Sequence, residues 1–274
     1  MDTPYEIKEK VLIKIEDIYL NYGDKQILRG ISEEVKDIYR PGLTQGQVVG
    51  ILGRSGCGKT QFCRILAGLQ KPTKGNILIN KNSKMIPVSP GLVGVVPQNY
   101  PLFRHRTIFS NLMKASKLGG NKNPKERVMF MLSRFGLEDK INNYPIELSG
   151  GQRQRICIIQ QILCSNYYLI MDEPFTGLDP LAKDDVAALI ADVASLHEDN
   201  TIFVVAHDIS AVASIADTLW LIGREQNESG IIPGSYIKKK YDLASMELAW
   251  HPELNSTPQF LEFIQEIKNE FKNL

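Results

Sequence analysis

The sequence predicts an α/β protein with a largely parallel central sheet, on three observations. Short apolar runs punctuated by glycine and proline alternate with longer helical patterns. The runs VVGIL (48–52), LVGVV (92–96), YYLIM (167–171), TIFVVA (201–206) and TLWLI (218–222) are almost continuously apolar, as strands covered on both faces are. Ahead of them, VLIKIEDIYL (11–20) and QILRGISEEV (26–35) alternate apolar and polar residues, which marks antiparallel strands with one wet face.

Taken in order, the two alternating runs form an N-terminal antiparallel β layer. VVGIL is the first central strand, and TQFCRILAGL (60–69) is the helix after it. From about Thr107 to Cys164 strand patterns vanish, and helices broken at GGNKNP (119–124) and NNYPIE (142–147) take their place. After Arg224 a polar segment leads to the strand-like SYIKKKYDL (235–243) and an amphipathic helix, TPQFLEFIQEIKNEFKNL (257–274), opened by a threonine cap and proline. The division expected is a core over 1–230, with its helical part at about 104–165, and a C-terminal extension over 231–274. KDIYRPGLTQ (36–45) reads as a surface loop, and the lysines at 238–240 as a solvated strand end.

With 274 residues, 43% of them hydrophobic, the chain is long enough for a full core. Its net charge of +1, from 32 basic and 31 acidic side chains, gives no reason to expect a nucleic acid as partner. Four cysteines without a Cys-x-x-Cys pair, and no secretory signal, predict a reduced cytoplasmic setting. Every apolar run is far shorter than the ~18 residues that span a bilayer. His105, His197 and His251 are read as surface or local packing residues.

The chemistry begins at GRSGCGKT: Gly53, Arg54, Ser55, Gly56, Cys57, Gly58, Lys59 and Thr60 match G-x-x-x-x-G-K-[ST] between a strand and a helix. This is the phosphate-binding P-loop pattern. Glycines let backbone N–H groups close around phosphate oxygens, and the helix N-terminus adds roughly half a positive charge. Lys59 then neutralises the β- and γ-phosphates and the Thr60 hydroxyl ligates Mg²⁺. In YYLIMDEP, Asp172 and Glu173 fall at the C-terminal end of a buried strand, the edge where open α/β sheets bind ligands. Neighbouring strand residues point to opposite sides, so Asp172 fits the Mg²⁺-holding acid and Glu173 the group that orients or deprotonates water. His207 follows TIFVVA at the same edge, where it serves either the γ-phosphate or the local strand end. Ser149, Gly150 and Gly151 open another helical pattern; they are either a second anion site or an ordinary capped helix start.

Together these residues resemble the ATP-binding subunit of an ABC transporter, over about Val11 to Arg224. Tyr22 in NYGD resembles the aromatic that stacks on adenine, and Gln61 extends the phosphate-binding set. Gln98 in VVPQNYPLF is similar to the glutamine that senses Mg²⁺ and the γ-phosphate. LSGGQ (148–152), ending in Gln152, resembles the family's own signature. TGLD (176–179) is similar to the loop after the acidic pair, with Asp179 its acid, and His207 to the switch histidine.

The resemblance implies a RecA-like P-loop core with a helical subdomain, and a head-to-tail dimer in which Ser149, Gly150, Gly151 and Gln152 of one subunit close over ATP held by the other. It also implies ATP hydrolysis with Mg²⁺ at the inner face of the cell membrane, powering separate permease subunits, with a solute-binding protein as a further partner. NYPLFRHRTIFSNL (99–112) resembles the region that meets the membrane subunit, or is subdomain packing. The solute expected is small, polar or anionic, and imported. The alternative is a soluble ABC ATPase acting on a macromolecular assembly. A GTPase is disfavoured, because Asn80-Lys81-Asn82-Ser83 lacks the acid of Asn-Lys-x-Asp.

Overall fold

The computed structural model describes residues 6–40, 44–165, 167–227, 230–249 and 257–272. Strands β1 (Glu6–Tyr22) and β2 (Lys25–Tyr39) form a long antiparallel hairpin, with Ile13, Ile15, Ile18 and Leu20 buried. Strand β3 (Gln47–Leu52) is buried along its whole length and runs through the P-loop into helix α1 (Lys59–Leu66). Strands β4 (Lys74–Lys81) and β5 (Lys84–Pro87) then complete the N-terminal sheet in the order β2-β1-β4-β5. These two strands are absent from the sequence prediction. Beyond Ile77 and Ile79, only Leu78, Met85 and Ile86 among their residues add large apolar side chains to a stretch broken by asparagine and lysine.

Strand β6 (Val93–Val96) precedes the helical insertion: α2 (Ile108–Leu118), α3 (Pro124–Arg134), two single 3-10 turns at Glu138–Lys140 and Pro145–Glu147, and α4 (Gly150–Cys164). The breaks fall where glycine, asparagine and proline predict them. Strand β7 (Tyr168–Asp172), helix α5 (Pro180–Ala194), strand β8 (Thr201–Ala206), the short helix α6 (Ile209–Ala213) and strand β9 (Thr218–Gly223) follow. Two minimal strands, β10 (Gln226–Asn227) and β11 (Gly230–Ile231), pair with each other. Strand β12 (Tyr236–Asp242) and helix α7 (Pro258–Lys272) end the described chain.

The central sheet has the order β12-β9-β3-β8-β7-β6, parallel except for the edge strand β12. Its two faces serve two cores. Val48 and Leu52 of β3 and Val204 of β8 join the core that holds α2, α4 and α5, while Val49, Ile51, Phe203 and Val205 join the core under the β layer. This is the strand alternation carried through a doubly covered sheet.

Three sequence readings change. Residues 36–40 are not a surface loop: β2 continues through Tyr39, and Arg40 is buried in an ion pair with Asp217, while Thr44 and Gln45 have no regular structure and Thr44 is exposed. Residues 41–43 lie outside the described residues, as does His251. The lysines at 238–240 are not a plain solvated end, because Lys239 contacts Glu266 and Glu270 of α7 at 2.8 and 3.0 Å and Lys240 contacts Glu33. Finally, β12 belongs to the central sheet, and Phe260, Phe263, Ile264 and Ile267 of α7 are buried in the core on its helical side. Thr257 caps α7 as the sequence predicts, its Oγ1 accepting from the Phe260 N–H at 3.3 Å.

Candidate nucleotide site

The P-loop is positioned by β3, the centre of the sheet. Gly58 is the N-cap of α1, with φ +99°, a conformation that a side chain adopts only under strain. A Cβ there would also come within 3.1 Å of Ile27 and Leu28. Lys59 is buried, and its Nζ donates to the Gly53 carbonyl at 2.7 Å and the Arg54 carbonyl at 3.2 Å. The ammonium is thereby held at the mouth of the loop by the loop itself. Cys57 is buried, and that burial pushes its thiol pKa up. It is a packing residue, as the sequence suggests.

Thr60 and Asp172 meet: the Thr60 hydroxyl donates to Asp172 Oδ2 at 3.4 Å. Burial, and secondarily the charge of Glu173, raise the Asp172 pKa, against the lowering by Thr60 and Lys59. A divalent cation would relieve that burden, and two hard oxygens beside a P-loop fit Mg²⁺. A cavity of about 450 Å³ opens beside this pair and runs between α1 and the end of α4, past Val95, Pro97 and Gln161.

Glu173 stands at φ +55°, just past β7, with its N–H donated to the Val205 carbonyl at 2.7 Å. A non-glycine residue in this region is strained, and such strain gathers at functional sites. The turn brings two groups onto one carboxylate oxygen. His207 Nδ1 lies 2.8 Å from Glu173 Oε2, and the Thr176 hydroxyl donates to the same atom at 3.0 Å. The side chain of Glu173 is 19% exposed and that of His207 54%. His207 is therefore drawn to the acid and retains solvent access. Thr176 in this role was missed at the sequence level; its only signal is its place three residues after Glu173. Asp208 also escaped notice. It caps α6 through Ala211 N and pairs with Lys183 at 2.6 Å.

Tyr22 is exposed at the end of β1, and its Oη donates to Gln61 at 2.9 Å and accepts from Gln70 at 2.7 Å. The ring is thus fixed beside the first turn of α1. Gln98 lies in the exposed turn after β6, and among the described residues no hydrogen bond joins it to Thr60 or Asp172. Asp179 caps α5, accepting from Ala182 N at 3.0 Å. Ser149 and Gln152 form a reciprocal capping box at the start of α4: Gln152 N donates to Ser149 Oγ at 3.3 Å, and Ser149 N to Gln152 Oε1 at 3.0 Å. Among the described residues, no hydrogen bond or ion pair connects Ser149–Gln152 with the P-loop of the same chain. Farther along α4, Gln154 donates to the Pro174 carbonyl at 3.4 Å, tying the helix to the loop behind Glu173.

A family profile described as ABC transporter matches residues 40–176. An aliphatic sulfonates import ATP-binding protein of Pseudomonas fluorescens is 30% identical over 249 residues, which are 89% of this chain and 87% of that protein. A sulfate/thiosulfate import ATP-binding protein of Synechocystis is 35% identical over 76% of this chain and 57% of its own length. An arginine transport ATP-binding protein of Bacillus subtilis is 30% identical over 75% of this chain and 85% of its own length. A solved Clostridium perfringens subunit, part of an ABC transporter complex, shares the fold with a TM-score of 0.70 at 23% identity, covering 95% of this chain and all of that one. The P-loop, the LSGGQ helix start and the acidic pair all lie within the matched span 40–176, and the chain belongs to the ABC transporter family as an ATP-binding protein.

Proposed function

We propose that the chain is the ATP-hydrolysing subunit of an importer, coupled to separate permease subunits, and that two copies act head to tail with ATP between them. The observation that carries this reading is the convergence of Thr60, Asp172, Glu173 and His207 at the C-terminal edge of the parallel sheet, beside the P-loop. Among the described residues no helix is long and apolar enough to cross a membrane, which suits a subunit that borrows its pathway from other chains.

The P-loop amides of 54–60 and Lys59 hold the phosphates, and Tyr22 offers its ring to adenine. Thr60 and Asp172 are the residues that would hold Mg²⁺, and Gln98, in the exposed turn after β6, is the further residue assigned to the ion. The ion, when bound, neutralises charge on the β- and γ-phosphate oxygens. Glu173 takes a proton from, or orients, the attacking water; His207 and Thr176 fix its Oε2 so that the other oxygen is left for that task. Ser149 and the backbone of Gly150 and Gly151 contact the nucleotide of the neighbouring copy, and Asp179 lies on the surface between the copies. Residues 99–112 face the permease: Phe103 is 39% exposed, flanked by Lys114 and Arg106 at 4.4 and 5.4 Å from its ring, and its backbone is pinned to the buried Asn111. A small polar or anionic solute, delivered by a solute-binding protein, is the cargo this reading favours, after the sulfonate, sulfate and arginine relatives.

Glu173→Gln tests the chemistry. Nucleotide binding should persist, while turnover falls by about 10²- to 10⁴-fold, the usual worth of a positioned base. Turnover within threefold of the wild type would remove Glu173 from that role. Mixing Lys59→Ala with Ser149→Arg tests the head-to-tail arrangement: hydrolysis should return in mixed dimers, which hold one complete site. Mixed dimers, demonstrated by mass, that stay inactive would overturn it.

A further inference from the structure

Among the described residues, the His207 imidazole has one hydrogen-bond partner, Glu173 Oε2 at 2.8 Å, and its side chain is 54% exposed. The ring is therefore not held by surrounding packing. Its place depends on the course of the backbone at 207–208.

That course is fixed at Asp208, the next residue. Its Oδ1 accepts from the Ala211 N–H at 3.1 Å, and its Oδ2 accepts from Lys183 Nζ at 2.6 Å. One carboxylate thus joins the end of β8 to α6 through one oxygen and to α5 through the other. Burial pushes the Asp208 pKa up, but the hydrogen bonds from Lys183 and the Ala211 N–H, with the charges of Lys183 and His207, outweigh it and leave the group below its ordinary value. The contact with Lys183 is accordingly a charge-assisted hydrogen bond.

Lys183 lies at the end of the first turn of α5, whose N-cap is Asp179. The N-terminal end of a helix disfavours a cation, so the helix gains nothing of its own from a lysine there. The gain lies across the gap, at Asp208. The contact also closes a ring. From Glu173 the chain runs through Thr176, whose hydroxyl donates to Glu173 Oε2 at 3.0 Å, and through Asp179 to Lys183; the ion pair crosses to Asp208, and His207 returns to the same Oε2. Both groups that hold this oxygen are borne on segments that Lys183 ties together.

Resting on the reading of Glu173 as the group that acts on water, we propose that Lys183 is a positioning residue for hydrolysis: by holding Asp208 it keeps His207 on Glu173 Oε2 and the start of α5 in register with that contact. Its own ammonium is engaged by Asp208 and takes no part in the chemistry.

The experiment follows phosphate release by the full chain with Mg²⁺ over a range of ATP concentrations. In Lys183→Met, kcat should fall by about 10- to 100-fold, the scale of a misplacement of about 1 Å, while KM stays within about twofold. The melting temperature should stay within about 4 °C, because side chains 33% and 25% exposed form a pair of small stabilising effect. Lys183→Arg keeps the charge and should restore kcat to within about threefold of the wild type. Asp208→Asn keeps a capping side chain but ends the ion pair, so it should reproduce the loss, and Lys183→Met/Asp208→Asn should be no slower than the slower single variant. Asp208→Asn carries the test alone if Lys183→Met fails to fold. A kcat within about threefold of the wild type in either single variant, a loss that Lys183→Arg does not restore, or single losses that multiply in the double variant overturns the positioning role. Glu173→Gln, measured alongside, separates the two readings: if it is inactive, the role of Glu173 stands whatever Lys183 shows, and if it turns over like the wild type, the basis for Lys183 falls with it.

Discussion

Arg40→Met isolates the contact that ties the end of β2 to the central sheet. The Arg40 and Asp217 side chains are 1% and 0% exposed. Arg40 Nη2 donates to Asp217, and Nη1 to the Gly46 carbonyl at 2.7 Å; Asp217 Oδ2 accepts from Val48 N at 2.7 Å. The pair thus clamps both the entry of β3 and the segment before β9. Removing the guanidinium takes this partner from a buried carboxylate, which costs about 3–5 kcal/mol, whereas replacing both partners by apolar groups is often close to neutral. At urea slopes of about 1–3 kcal/mol/M, the unfolding midpoint should fall by about 1–5 M. Arg40→Met/Asp217→Leu should recover part of the loss. Recovery stays incomplete because the Val48 N–H is then orphaned, at about 1–3 kcal/mol. Equilibrium unfolding followed by circular dichroism reads all three proteins. A loss below 1 kcal/mol in the single variant, with an unchanged slope, would refute the claim that this pair is desolvated and that the segment before it is structural.

Two further predictions concern ionisation. The folded Asp172 pKa lies above its unfolded value. Its contribution to stability is therefore fully present below the unfolded pKa and lost as pH rises through the folded one, so Asp172→Asn should raise the melting temperature at pH 7 while abolishing the upward shift that Mg²⁺ with nucleotide produces; a lower melting temperature would contradict the burial argument. At α7, hydrogen bonding to Lys239 lowers the Glu266 pKa. That contribution is present above the unfolded carboxylate pKa and lost as pH falls through the folded one, and Lys239→Ala should quicken amide exchange in 258–272 by about two- to fivefold, as loss of exposed ion pairs allows. Unaltered exchange there would mean that the apolar face alone holds the helix.

The legible part of the fold is the part where one physical demand dominates. The five parallel strands are apolar on both faces, so they stand out in any window. Strand β4 buries Ile77 and Ile79 alone, flanked by asparagine and lysine, and β5 buries no residue, and such a pattern is no stronger than that of a turn. The pairing of β12 with β9 was hidden by the polar segment between them, and the Arg40–Asp217 pair spans 177 residues with no local sign at either end. The site divides in the same way. P-loop chemistry is written in consecutive residues, and so it was readable. The convergence of His207 and Thr176 on one oxygen of Glu173 depends on a left-handed turn at Glu173, which no propensity favours for a glutamate.

The two glycines of LSGGQ make the complementary point. Gly58 stands at φ +99°, and a Cβ there would sit a tight 3.1 Å from the Ile27 and Leu28 side chains, so the chain's own backbone and packing account for that glycine. A Cβ at Gly150 or Gly151 would meet nothing within 4 Å, and neither residue sits in the left-handed region. Within this chain alanine would fit both positions and would favour the helix by up to about 1 kcal/mol each. The fold therefore gives no return for the glycines. Their smallness has a use only if something outside the chain approaches the backbone N–H groups at the start of α4 closely. Ser149 Oγ accepts from Gln152 N in the capping box, which leaves its O–H to donate alongside the bare amides of Gly150 and Gly151. That selects an anion as the approaching group, and a triphosphate on the P-loop of a second copy satisfies the requirement without any contact inside one chain.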